Sequence, residues 1–135
     1  MKTFEEHLKR GIVKRRKKDL ERAESLIKEA EKRLDFFNKI QITENSANYI
    51  VENMYDVVRE LIEAKLLLEG YKSYSHEATI SYMGNLGFPR KDIEFMDKLR
   101  ETRNKTKYYG YLVNIEYAKN VFEFVKSIYF KLRGK

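Results

Sequence analysis

The chain has 135 residues, of which 42% are hydrophobic and 36% charged, with one proline, six glycines and no cysteine. This composition is too apolar for a disordered chain and too charged for a membrane protein, and the length suits one domain. The absence of cysteine excludes disulfides, thiolate catalysis and cysteine-ligated metals. No apolar run approaches the roughly 20 residues of a membrane span, and no signal peptide opens the chain. We therefore expect a soluble cytoplasmic protein that does not bind membranes.

The net charge of +7 is unevenly distributed along the chain. Residues 1–40 carry +5, residues 41–88 carry −4 and residues 89–135 carry +6. The densest basic run, Lys9 to Lys18, holds seven positive charges and no acid. Such a run can attract phosphates or an acidic protein. It can equally be a solvated helix start whose charge is neutralised by neighbouring acids such as Asp19 and Glu21.

Helical periodicity begins near Thr3, where a short helix starts that Gly11 breaks. A second helix is predicted from about Arg16 to Ile40. Its buried stripe consists of Leu20, Ala23, Ile27, Ala30, Leu34 and Phe37. Thr43 is then a suitable N-cap for a long helix that runs to about Glu69 and ends at Gly70. The wide apolar face of this helix makes it the candidate for the centre of the fold.

Ser75 is predicted to cap a short helix that reaches about Asn85. Pro89 suits the first turn of the next helix, and Asn114 can cap a last helix that reaches about Leu132. No strand, hairpin turn or repeat is evident. We therefore expect an all-α protein in which residues 1–135 form a single domain, an up-and-down antiparallel bundle of four to five helices.

The segment from Arg100 to Tyr111 holds four cations, three tyrosines and a glycine. Arg100, Arg103 and Lys107 lie on one helical face, at steps of three and four. Arginine offers a planar fork for phosphate, and tyrosine offers a ring on which a base can stack. The same composition is also typical of a solvated basic helix end with tyrosines half-buried as packing. No metal-binding or cofactor-binding motif is present, and we expect neither a metal nor a cofactor.

Residues 43–130 resemble a HEPN domain, a small all-helical family of archaea and bacteria. The landmarks occur in the family's order and spacing. They are Ala64 to Gly70, Ser75-His76-Glu77, Leu86-Gly87-Phe88-Pro89, and Leu99 to Lys105.

The resemblance implies a homodimer with a functional cleft between its subunits. Many HEPN proteins are ribonuclease toxins, and others are thought to bind nucleotides or RNA. Many are encoded beside a minimal nucleotidyltransferase that acts as antitoxin, so the resemblance also implies such a partner. The family motif is an arginine, four to six residues, and a histidine, often with a polar residue after the arginine and a tyrosine two places after the histidine.

Arg103 matches the motif arginine, and Asn104 matches the polar residue after it. The motif histidine does not carry over. Its position falls on Tyr109, followed by Tyr111 at the tyrosine position, or on Tyr108 with the shorter spacing. Because the reference pKa of tyrosine is about 10, tyrosine is a poor general base at neutral pH. The usual ribonuclease mechanism therefore lacks its acid–base group.

His76 lies one residue after the predicted cap Ser75. It is either a structural residue of the helix start or a replacement for the missing histidine that reaches Arg103. His7 receives no predicted role.

Three hypotheses remain from the sequence. The first is a homodimeric HEPN-type protein, part of a two-component system of the toxin–antitoxin kind, that binds nucleotide or RNA phosphates. Its binding residues are Arg100, Arg103, Asn104, Lys107, Tyr108, Tyr109, Tyr111 and His76. The alternative is a divergent, metal-independent toxin ribonuclease with tyrosine in place of the motif histidine. Arg103 would then act with Tyr109, Lys107 or His76. The third is a helical scaffold with a basic surface.

Overall fold

The computed structural model describes residues 1–134 and consists mainly of α-helices. The helices are α1 (Phe4–Lys9), α2 (Leu20–Asn38), α3 (Ala47–Leu68), α4 (His76–Ser81), α5 (Arg90–Tyr109) and α6 (Ile115–Arg133). A 3-10 turn, Tyr82–Gly84, follows α4, and two short strands, β1 (Val13–Arg15) and β2 (Tyr71–Ser73), pair with each other. The predicted all-α fold is confirmed, with six α-helices over residues 1–134. Among these helices, none combines the length with the apolar character that a membrane crossing requires.

α3 forms the centre of the fold and packs against α2, α5 and α6. The wide apolar face predicted for it is confirmed. Its residues Ile50, Val51, Met54, Val57, Val58, Leu61, Ile62 and Ala64 are all at most 1% exposed. Each fully buried aliphatic side chain contributes about 1.5–3 kcal/mol, so α3 makes a large contribution to the hydrophobic driving force.

A largely buried ion pair fastens α2 to α3. Arg33 donates two hydrogen bonds to the Glu60 carboxylate, from Nε to Oε1 at 3.3 Å and from Nη2 to Oε2 at 2.9 Å. Its third nitrogen donates to the Asn53 side chain. Burial raises the pKa of Glu60, and the Arg33 guanidinium opposes that rise. Because a buried charge without a partner is costly, this pair sets the register of the two helices.

The predicted helix caps at Ser75 and Asn114 are confirmed. The Ser75 hydroxyl accepts the Ala78 N–H at 3.0 Å, and the Asn114 side chain accepts the Tyr117 N–H at 2.7 Å. The apolar stripe of α6 is also buried as predicted. It consists of Ala118, Val121, Phe122, Val125, Ile128, Tyr129 and Leu132.

Two helix starts differ from the prediction. α2 begins at Leu20 rather than near Arg16, because the Asp19 carboxylate caps it by accepting the Arg22 N–H at 3.0 Å. Leu20 is consequently exposed rather than part of the stripe. α3 begins at Ala47, and Thr43 instead lies in a preceding turn in which its hydroxyl accepts the Ser46 N–H at 3.2 Å.

The prediction that the chain has no strand is wrong. β1 and β2 pair antiparallel, with Lys14 opposite Lys72, although they lie far apart in the sequence. Each strand has three residues, and in β1 only Val13 is buried. Such short strands with charged outer residues leave no alternating pattern, and their pairing depends on the helices that bring them together.

Gly70 joins α3 to β2 in a conformation that requires glycine. Its φ is +81°, and a Cβ placed there would lie 2.9 Å from the Arg16 carbonyl oxygen. The Gly70 carbonyl accepts the Arg16 N–H at 2.8 Å, which extends the pairing beyond β1. Gly70 therefore ends α3. The absence of a side chain at Gly70 also lets the backbone of the Lys9–Lys18 run pass beside the start of β2.

We predict that Gly70→Ala destabilises the fold more than a substitution at another glycine with positive φ. The left-handed conformation alone costs alanine about 1–2 kcal/mol. The clash with the Arg16 carbonyl adds about 1–3 kcal/mol. The free energy of unfolding in urea measures the difference.

Gly87→Ala is the matched control, because Gly87 has φ +86° and no atom within 4 Å of an added Cβ. It should incur the conformational cost alone. Equal losses of stability in the two variants would contradict the close approach at Gly70.

Candidate functional site

α5 separates the predicted site residues into a buried part and an exposed part. Arg103 is only 4% exposed, whereas Tyr109 is 82% exposed. Arg100 and Asn104 are intermediate, and Lys107 is exposed with Tyr108 and Tyr111. The residues that form one cluster in the sequence therefore belong to two different environments.

The buried part is joined to α3 by polar contacts. Arg103 Nη2 donates to Asp56 Oδ1 at 3.4 Å, and the Thr106 hydroxyl donates to Glu52 Oε2 at 2.8 Å. As the residue number rises along α3 it falls along α5, so the two helices are antiparallel. This pairing fixes which face of α5 is turned inward.

The loop after α5 is held by the first turn of α3. The Asn48 side chain donates to the Tyr111 carbonyl at 2.7 Å and accepts the Val113 N–H at 2.9 Å. Gly110, with φ +68°, ends α5 just before this contact. The Asn48 side chain therefore fixes the backbone of the loop at Tyr111 and Val113 against the start of α3.

Arg103 lies against the ring of Tyr55, with its guanidinium carbon 5.4 Å from the ring centroid. Its Nε and the Tyr55 hydroxyl are both buried and have no hydrogen-bond partner among the described residues. Burial raises the pKa of Tyr55, and the nearby Arg59, Arg103 and Arg100 act in the opposite direction. Arg103 therefore lies against the buried Tyr55 ring, and the charges of Arg59 and Arg100 also act on its hydroxyl.

Carboxylates compensate these arginines. Arg59 pairs with Asp56 at 3.3 Å and with Glu63 at 2.9 Å. Arg100 pairs with Asp97 at 2.9 Å. Asp56 is shared with Arg103. A phosphate that entered this cluster would have to compete with carboxylates already in place.

His76 joins the same cluster from the start of α4. Its ring lies 5.9 Å from the Tyr55 ring, centroid to centroid, so His76 and Arg103 contact a common side chain. Burial lowers the pKa of His76, and the charges of Arg59 and Arg103 lower it further. Glu63 and Asp56 act in the opposite direction. The imidazole is therefore biased toward the neutral form, in which it can accept a proton.

Tyr109 does not share this environment. It lies six residues beyond Arg103, about 9 Å along the helix and about 120° around it. Its 82% exposure agrees with that placement. Within one chain, the residue at the motif histidine position is therefore turned away from Arg103, whereas His76 shares the Tyr55 ring with it.

The exposed part forms a compact surface of cations and aromatic rings. Lys107 Nζ lies 5.9 Å from the centroid of the Tyr108 ring, and Lys105 Nζ lies 5.9 Å from that of Tyr111. Neither lysine takes part in an ion pair among residues 1–134. We call Lys105, Lys107, Tyr108, Tyr109 and Tyr111 the α5 terminal surface.

Sequence reasoning missed Tyr55, Asp56 and Arg59, which complete the buried cluster. A signal for them exists in the spacing of Glu52, Asp56, Arg59 and Glu63, at steps of four, three and four on an otherwise apolar helix. Lys105 was also outside the predicted binding set. Within residues 1–134, no group of three or more His, Cys, Asp or Glu side chains is arranged to hold a metal ion.

A broad groove of about 770 Å³ lies elsewhere, between α1 and the first half of α5. Phe4, Asn85, Ile93 and Asp97 are among the residues that line it. None of the predicted site residues lines this groove. Asp97, which pairs with Arg100, also lines the groove, so the groove borders the buried cluster.

Comparisons of this chain with protein-family models, with curated proteins and with solved structures found no match. The HEPN resemblance of residues 43–130 accordingly stays a prediction.

We predict that His76 titrates below the ordinary range of histidine and that Arg103→Met raises its pKa. Removing the Arg103 charge removes one of the repulsions that disfavour the imidazolium. NMR titration of the imidazole resonances measures this, with His76→Gln assigning the signal. Arg90→Met is the control, because the Arg90 side chain is 91% exposed at the far end of α5. An unchanged pKa of His76 in Arg103→Met would contradict the coupling.

The lowered pKa has a consequence for stability. Since the folded chain disfavours protonated His76, the unfolded chain binds more protons as pH falls through the ordinary histidine range, near about 6.5. The free energy of unfolding should therefore decrease between about pH 7.5 and about pH 5.5, and His76→Gln should remove that part of the decrease. Urea unfolding at both pH values measures the contribution.

Proposed function

We propose that this chain is a homodimeric HEPN-type protein that binds nucleotide or RNA phosphates. The observation that carries the binding proposal is the α5 terminal surface. Two lysines that form no ion pair within residues 1–134 lie against tyrosine rings there, and Tyr109 is 82% exposed. Lysines at such a surface attract phosphates, and tyrosine rings stack on unpaired bases.

Arg103 has a different role in this proposal from the exposed residues. It is buried and paired with Asp56, and it joins α5 to α3. It therefore acts as a positioning residue that holds the α5 terminal surface in place. Arg100 is half-buried one turn earlier, and its carboxylate partner Asp97 lies on the same helix.

The homodimer and the nucleotidyltransferase partner are supported by the resemblance of residues 43–130 to HEPN domains. A second copy of the chain would bring a second α5 terminal surface and double its positive charge. A nucleotidyltransferase partner would make the chain one half of a two-component system of the toxin–antitoxin kind.

We predict that the α5 terminal surface determines affinity for single-stranded RNA. Tyr109→Ala should weaken binding about fivefold or more, because loss of one stacked base costs about 1–3 kcal/mol. Lys105→Ala/Lys107→Ala should reduce the slope of log affinity against log salt concentration by about 1 per lysine. Fluorescence anisotropy of a labelled oligoribonucleotide measures both effects.

Lys28→Ala/Lys32→Ala is the control, because it removes the same charge from exposed positions on α2. It should leave the affinity nearly unchanged. If the α5 variants bind RNA as tightly as the wild type does, the proposed binding site is wrong.

A second candidate function is a metal-independent ribonuclease, and the position of His76 favours it. His76 and Arg103 contact the same Tyr55 ring, and His76 is biased toward the neutral form. In this mechanism His76 takes the proton of the ribose 2′-OH, whose oxygen attacks the adjacent phosphorus. The bond to the 5′-oxygen breaks, and that oxygen takes a proton from the imidazolium. Arg103 would stabilise the additional negative charge on the phosphoryl oxygens.

For this second function we predict RNA cleavage in the presence of EDTA. His76→Ala should lower the cleavage rate by about 100-fold or more, because general acid–base catalysis contributes about that much. Arg103→Met should also lower the rate, whereas Tyr109→Phe should leave it unchanged. Gel electrophoresis of a labelled RNA measures the rates, and intact RNA after prolonged incubation with the wild type would exclude a ribonuclease.

A further inference from the structure

The small sheet carries a second basic surface, at the opposite end of α3 from the α5 terminal surface. Val13 of β1 is buried, so its neighbour Lys14 is turned to the outer face. Arg16 follows two residues later on that face. Lys72 lies directly opposite Lys14, and Tyr74 follows two residues after Lys72. We call Lys14, Arg16, Lys72 and Tyr74 the sheet surface.

Three cations of the sheet surface converge on one exposed ring. Tyr74 is 53% exposed. The charged nitrogens of Lys14 and Lys72 lie 5.8 and 5.6 Å from its ring centroid, and the guanidinium carbon of Arg16 lies 6.0 Å away. Arg16 Nη2 also donates to the Tyr74 hydroxyl at 3.1 Å. The ring and the cations are thus held together as one group.

Among the described residues, no carboxylate forms an ion pair with this group. None of the ion pairs between residues 1–134 includes Lys14, Arg16 or Lys72, nor the exposed Lys17 and Lys18 that follow in the chain. Like charges directly opposite each other on neighbouring strands are destabilising. The fold therefore holds like charges close together, and no carboxylate of residues 1–134 forms an ion pair with them.

We infer that the sheet surface is a binding site for single-stranded nucleic acid, with the cations on the phosphates and the Tyr74 ring stacked on a base. Converging phosphate-binding cations around an exposed aromatic ring are what single-strand binding requires. Lysines at sheet edges also deter edge-to-edge pairing, but that role needs no shared ring. A membrane surface would need exposed apolar side chains among the cations, and Tyr74 is the one exposed aromatic residue of the group.

The inference does not depend on the proposed function. Asn48, which anchors the α5 terminal surface, and Gly70, which leads into β2, lie at opposite ends of α3, about 30 Å apart along the helix. One surface can therefore be changed without altering the other.

The test is anisotropy of a fluorescein-labelled ten-nucleotide uridine RNA and of the matching DNA, at about 50 mM and about 200 mM salt. Lys14→Ala/Lys72→Ala should weaken binding at least about tenfold and reduce the salt slope by about 2. Tyr74→Ala should weaken it about fivefold or more. Lys91→Ala/Lys98→Ala, on the exposed side of α5, is the charge-matched control. Thermal melting confirms that every variant is folded.

The same variants are measured in the wild-type chain and in the Lys105→Ala/Lys107→Ala background. Loss of affinity in both backgrounds supports binding at the sheet surface. Similar affinities for RNA and DNA identify the phosphate backbone and base stacking as the shared chemistry. Unchanged affinity of the sheet variants overturns the inference and leaves the α5 terminal surface unaffected. The inference is also overturned if the lysine substitutions weaken binding while Tyr74→Ala does not, and heparin competes for the site as well as RNA does. So does tighter binding to vesicles that contain phosphatidylserine than to RNA.

Discussion

The arrangement of the fold depends on how a buried helix pairs its polar side chains. α3 is apolar over a wide face, yet it carries charged residues that cannot be left without partners. Glu60 is bound by Arg33 of α2, and Glu52 and Asp56 meet Thr106 and Arg103 of α5. These polar contacts select one register on each side of α3.

The same pairing determines which cations are available to a ligand. Arg103 is turned inward to Asp56 and Tyr55, and Arg100 is occupied by Asp97. Two groups of cations that form no ion pair within residues 1–134 lie beside exposed tyrosines, one group near each end of α3. The positive charge of the chain therefore has two roles. Arg100 and Arg103 are paired with carboxylates inside the fold, whereas the basic surfaces near the two ends of α3 are exposed beside tyrosines.

Local features of the fold were predictable because their causes are local. The caps at Ser75 and Asn114, the stripe of α6 and the end of α3 at Gly70 follow from neighbouring residues and helical spacing. The two strands were not predictable in this way. Each is too short to alternate, and their pairing requires α2 and α3 to bring the Lys9–Lys18 run beside residues 71–74. For the same reason, the choice between a solvated helix start and a basic surface stayed open in the sequence.

By itself, the sequence determined the all-α class, the central place of α3 and the segment in which arginines, lysines and tyrosines concentrate, because periodicity and composition are properties of neighbouring residues. Only the tertiary structure decided that Arg103 is buried, that Tyr109 is turned away from it and that His76 shares its Tyr55 contact. It also decided that Lys14, Arg16 and Lys72 lie around the Tyr74 ring. Those relations join residues up to 60 positions apart. They depend on how the helices are aligned by the polar contacts of α3 rather than on any spacing visible along the chain.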